Sequence, residues 1–115
     1  MTRTFIQTRE FSRRWDEMGF NDDDLRKLES DIMSDPSRFP FIRGTGGLQK
    51  ARVSINKGKS SGARVCFVDF ALAESIYLIT VFGKKEKANL SKEECNQIRK
   101  AIETLKKSLG STNNE

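Results

Sequence analysis

The stretch KARVSINKGKSSGARVCFVDFALAESIYLITVF (residues 50–82) decides the fold. In Lys50–Ile55, Ala51, Val53 and Ile55 alternate with Lys50, Arg52 and Ser54. A period of two predicts a strand with one buried face and one solvated, basic face. Asn56–Gly62 is turn chemistry, so a hairpin follows. Arg64–Phe70 and Ile76–Phe82 are nearly continuous apolar runs rich in Val, Ile, Phe and Tyr, as expected for central strands covered on both faces. A loop around Leu72–Ser75 joins them, completing a three-stranded antiparallel meander.

On the amino-terminal side, Thr2–Thr8 predicts a short strand with Phe5 inward. Phe11, Trp15 and Met18 recur at helical spacing over Arg9–Met18, and Gly19 closes that helix. Asn21 suits the N-cap of a second helix whose Asp22, Asp23 and Asp24 lie at the positive end of its dipole. Leu25, Leu28 and Ile32 form its apolar face, and Asp35-Pro36 stops it. The pair reads as a helical hairpin, acidic on its exposed side. Ser37–Gly47 is a loop. Beyond Gly83, Ser91-Lys92-Glu93-Glu94 is a capping box. Cys95, Ile98, Ile102, Leu105 and Leu109 form the inner stripe of a closing helix that Gly110 ends. The expected class is α+β: one domain over residues 1–110, with an amino-terminal strand and helical hairpin, an antiparallel sheet and a carboxy-terminal helix. Residues 111–115 read as a flexible tail.

A length of 115 residues with 36% hydrophobic content suits one soluble core. No stretch approaches the roughly 20 apolar residues of a membrane span, so the expected compartment is the cytoplasm. With no His, an imidazole-based triad is excluded. Only two cysteines, Cys66 and Cys95, stand far apart in apolar periodic segments, which points to small buried side chains and away from zinc. Net charge is +5. Between Pro36 and Val68 there is no acid at all, while Arg38, Arg43, Lys50, Arg52, Lys57, Lys59 and Arg64 fall there. The rest of the chain is therefore net acidic, and the concentrated positive charge suits a polyanion partner.

Lys50 and Arg52 share parity, so their side chains leave one face roughly 7 Å apart. Arg64 begins the neighbouring strand across the Lys57/Lys59 hairpin and is placed to converge with them. Lys84, Lys85 and Lys87 follow the last strand and are placed to rim the same surface. Clustering like charges costs folding free energy, which is tolerable where the site meets phosphate. The plainer alternative is a solvated sheet edge kept soluble by lysines. Gly44-Thr45-Gly46-Gly47 lacks the Lys-Ser/Thr ending of a P-loop and precedes a strand, so its expected job is a sharp turn. Phe39 and Phe41 flank Pro40 and read as core anchors; Phe82 is the better candidate for base stacking if it faces outward.

The run Gly44-Thr45-Gly46-Gly47-Leu48-Gln49-Lys50-Ala51-Arg52-Val53 resembles a segment of the RelE/HigB toxin family, particularly its HigB-like branch. The spacing to Gly62-Ala63-Arg64-Val65 and on to Phe82-Gly83-Lys84-Lys85-Glu86-Lys87 is also similar, and the order of elements agrees over essentially the whole chain. The resemblance implies a small antiparallel sheet with two helices on one side and a carboxy-terminal helix. It further implies an endoribonuclease that cuts messenger RNA in the decoding site of the small ribosomal subunit, without metal or cofactor. On that likeness Lys50, Arg52, Arg64 and Lys85 are the catalytic candidates, with Arg43, Lys57, Lys59, Phe82, Lys84 and Lys87 as RNA contacts. A phenolic residue that some members carry near the end has no counterpart, since Ser91 falls nearby. A toxin of this kind implies a cognate antitoxin, expected to be a helix-turn-helix DNA binder, and no membrane partner.

RNA carries its own nucleophile, the ribose 2′-hydroxyl, so the protein must align it, remove a proton and stabilise a pentavalent phosphorane. Without His the proton acceptor has to be a lysine discharged among neighbouring cations, here Lys50, or a carboxylate such as Glu86. Arg52 and Arg64 hold their protons and suit charge stabilisation. Two rival functions fit the same elements, a ParE-like inhibitor of DNA gyrase and a non-catalytic RNA-binding module.

Overall fold

A computed structural model of the protein describes residues 2–53 and 62–113. The elements run β1 (Thr4–Gln7), α1 (Arg9–Glu17), α2 (Asp22–Ser34), β2 (Gln49–Val53), β3 (Ala63–Phe70), β4 (Ser75–Gly83) and α3 (Lys92–Asn113), with short 3₁₀ turns at Pro36–Arg38 and Ala71–Ala73. Local chemistry sets these boundaries. The Thr8 side chain accepts from the Phe11 amide to start α1, and Gly19 turns the chain at φ +86° after it. Asn21 and Asp24 exchange side-chain-to-backbone bonds at the start of α2, and Ser91 and Glu94 do the same for α3. Gly110 does not end α3, which continues to Asn113. A glycine inside a helix costs only about 1 kcal/mol, and no proline follows to stop it.

The sheet order is β1-β4-β3-β2. The β2–β3–β4 meander is antiparallel, whereas β1 lies parallel to β4, with Phe5 beside Ile76. A bulge changes the register of β3 and β4, pairing Cys66 with Thr80 but Phe67 with Leu78, so Ile79 is an extra residue on β4. The extra residue reverses side-chain parity along β4. Ile76, Leu78 and then Val81 face α1 and α2, while Tyr77, Ile79 and then Phe82 face the other side. Hence β4 reads as a nearly continuous apolar run.

Both sheet faces are covered, and the core is double. Phe11, Trp15, Leu28, Ile32, Ala51, Val65 and Phe67 pack in the layer beneath α1 and α2, with Phe5 at its margin. Leu48, Cys66, Val68, Phe82 and Ile102 form the second layer beneath α3. Burial pushes the Cys66 thiol up to about 12, so it stays protonated and inert, as a small core residue should. Cys95 is half-buried. No helix among the described residues is long and apolar enough to cross a membrane.

Candidate functional site

With Ala51 and Val53 turned toward α1 and α2, the alternation of β2 sends Lys50 and Arg52 to the α3 side of the sheet. The register then sets Arg52 directly opposite Arg64 and Lys50 opposite buried Cys66. Directly opposed side chains sit about 4.5–5.5 Å apart at Cβ, where like charges are destabilising. Among the described residues none of the three is in an ion pair. Folding alone does not favour two unpaired arginines on adjacent strands; an anion between them does.

These three side chains line a groove of about 520 Å³ whose other wall is Asp31, Arg38, Phe39 and Pro40, closed by Ala88 and Asn89 from the β4–α3 connection. Buried Gln49 holds that wall in place. Its amide nitrogen donates to the Pro36 carbonyl at 2.7 Å and to the Phe39 carbonyl at 3.0 Å. The Lys50 amide donates to the Pro40 carbonyl at 3.0 Å, so the wall is pinned along the β2 edge. Asp31, the one carboxylate lining the groove among the described residues, is paired with Arg38. The Gly44–Gly47 turn feeds the chain into β2 through positive φ at Gly44, Gly46 and Gly47. Thr45 staples this turn, its hydroxyl donating to the Ile42 carbonyl at 2.6 Å and accepting from the Leu48 amide at 3.1 Å. It makes the sharp turn that the sequence predicts.

Replacing Gln49 by leucine removes the side-chain donor from the Pro36 and Phe39 carbonyls and is expected to cost about 2 kcal/mol. Chemical denaturation checks this, and an unchanged midpoint would show that other contacts hold the wall.

A protein-family model described as "RelE toxin of RelE / RelB toxin-antitoxin system" matches residues 2–112. The chain belongs to the RelE toxin family. It is thus the toxin component of a toxin–antitoxin system. Among solved structures, a free-state E. coli toxin RelE carrying two arginine-to-alanine substitutions is similar in fold, with a TM-score of 0.54 at 15% identity, covering 76% of this chain and 90% of that one.

The remaining site candidates distribute unevenly in this RelE-family toxin. Lys84 and Lys85 are exposed in the turn after β4, and Arg43 is exposed beside Gly44; none of them lines the groove. Lys87 is committed to Glu94, whose carboxyl it holds below the usual range, and its ammonium lies 5.3 Å from the Phe82 ring centroid. Phe82 itself is 1% exposed, so it does not stack bases; the β4 bulge turns it into the core under α3. Glu86 is not positioned as a base either. Arg14 grips both of its oxygens at 3.1 and 3.0 Å and depresses its carboxyl, outside the groove. Ser91 caps α3. Lys57 and Lys59 lie outside the described residues. Sequence reasoning missed Gln49, Asp31 and Asn89. Gln49 carried one signal, a polar residue at the inward-alternating end of an otherwise apolar and basic strand.

Proposed function

We propose that this toxin is a ribosome-dependent, metal-independent endoribonuclease that inhibits translation by cutting messenger RNA. One observation carries the reading: Arg52 and Arg64 face each other with Lys50 alongside, in no ion pair among the described residues, and all three line one groove of about 520 Å³. In the reaction the 2′-oxygen loses its proton and bonds to the adjacent phosphorus, while the bond from phosphorus to the 5′-oxygen breaks. Arg52 and Arg64 stabilise the extra negative charge on the phosphoryl oxygens. Lys50 takes or balances the 2′-proton, and a proton passes to the departing 5′-oxygen. The products are a cyclic 2′,3′-phosphate and a 5′-hydroxyl end. Lys85, outside the groove in the free protein, is assigned to phosphate contact along the strand. The matching partner is a cognate antitoxin with a helix-turn-helix DNA-binding portion, and the site of action is the cytoplasmic ribosome.

Brief expression in growing cells tests the reading. Bulk translation should fall within minutes and messages should acquire new 5′-hydroxyl ends inside coding regions. Loss of plasmid supercoiling with intact messages would place the target at gyrase, and intact messages with RNA retained on the protein would leave a binder only.

A further inference from the structure

We propose that the Arg38 guanidinium is a stacking platform for one nucleobase of the RNA in the groove, an assignment that rests on the reading above. Arg38 lines the groove wall with its guanidinium over the Phe39 ring, Cζ 4.2 Å from the ring centroid. Phe39 cannot yield. It is 6% exposed, it meets Phe67 edge-on at 5.6 Å, and its carbonyl is held by Gln49. The edge of the guanidinium is occupied by the Asp31 carboxylate, and the Arg38 side chain remains 47% exposed. The guanidinium is therefore backed by an aromatic ring and lines the groove with nearly half of its side chain exposed.

The ion pair decides what this side chain does. Among the described residues Lys50, Arg52 and Arg64 are in no ion pair and suit phosphate, whereas the charge of Arg38 is already met by Asp31. What remains is its plane. Single-stranded RNA presents unstacked bases that are held on aromatic rings or on arginine planes. The aromatic candidates do not serve here: Phe82 is buried, and exposed Phe41 does not line the groove. Because the Pro40 carbonyl and the Phe39 carbonyl are tied to β2, the platform keeps a fixed place relative to Lys50. A base stacked there sets which sugar and phosphate reach the three cations.

The experiment uses a short, fluorescently labelled single-stranded RNA, 2′-O-methylated so that it cannot be cut, and reads affinity by anisotropy for the wild type, Arg38→Lys and Arg38→Tyr. Lysine keeps the charge and loses the plane; tyrosine does the reverse. Arg38 is half-exposed, so both variants should fold, and thermal melts confirm it. Arg38→Lys is expected to bind roughly tenfold more weakly, with Arg38→Tyr nearer the wild type. Removing one base from the RNA, scanned along its length, should weaken the wild type about tenfold at one position and barely affect Arg38→Lys there. The opposite ranking, or losses that simply add, would overturn the platform. Wild-type cleavage of translated message is measured in parallel. Cleavage without the coupling sinks the platform alone, and coupling without cleavage sinks the nuclease reading while the base subsite stands.

Discussion

Message under translation is expected to be cut roughly 10⁵-fold faster than the same RNA free in solution. Among the described residues the groove contains three cations in no ion pair and a carboxylate engaged by Arg38, and the chain has no imidazole. Such a site stabilises charge well but is poor in groups that move protons at neutral pH. Rate must then come from holding the 2′-oxygen in line with the phosphorus, and proximity of that kind supplies roughly 7–11 kcal/mol. A single groove wall and a sheet face do not splay an RNA backbone into that geometry by themselves; a message threaded through the decoding site is already constrained. Time courses on one RNA, with and without programmed ribosomes, decide the matter. Equal rates would mean that the groove carries acid–base power that its residues do not suggest.

The second large effect is at Arg64. Arg64→Ala is expected to lower the cleavage rate on programmed ribosomes by about two to three orders of magnitude, the usual cost of deleting one preorganised group that meets developing charge. Stability should move the other way. Arg64 stands opposite Arg52, with no carboxylate paired to either among the described residues, so removing one guanidinium relieves a like-charge pair by a few tenths of a kcal/mol. Single-turnover cleavage and a thermal melt on the same preparation check both halves. A variant that loses activity and melts far below the wild type would make Arg64 a structural residue.

Much of this site was legible because strand periodicity is geometry. The alternation Lys50-Ala51-Arg52-Val53 sets which side chains share a face, and the turn residues of Asn56–Gly62 predict that Arg64 comes back beside them, as the antiparallel register has it. The helix caps at Asn21 and Ser91 were equally plain, since capping depends on residues three apart. What was hidden depends on contacts far apart in the chain. Phe82 lay in a nearly continuous apolar run, so its direction hung on one inserted residue, Ile79, that no pattern marks. Arg14 and Glu86 are 72 positions apart, and their pairing removes the carboxylate that looked best placed to accept a proton. The parallel placement of β1 against β4 also follows from tertiary packing, as does the far wall of the groove, where Asp31 and Asn89 arrive from unrelated elements.

If Lys50, Arg52 and Arg64 grip one RNA backbone together, the salt dependence of binding must report all three. Each phosphate contact to a single strand contributes about 0.7 to the slope of log affinity against log salt. Affinity for a non-cleavable RNA strand, measured across a salt series for the wild type and for the variant Lys50→Gln, Arg52→Gln, Arg64→Gln, should show a slope shallower by about 2 in the variant. An unchanged slope would mean that the three cations never meet the backbone, and the groove would lose its claim to be the active site.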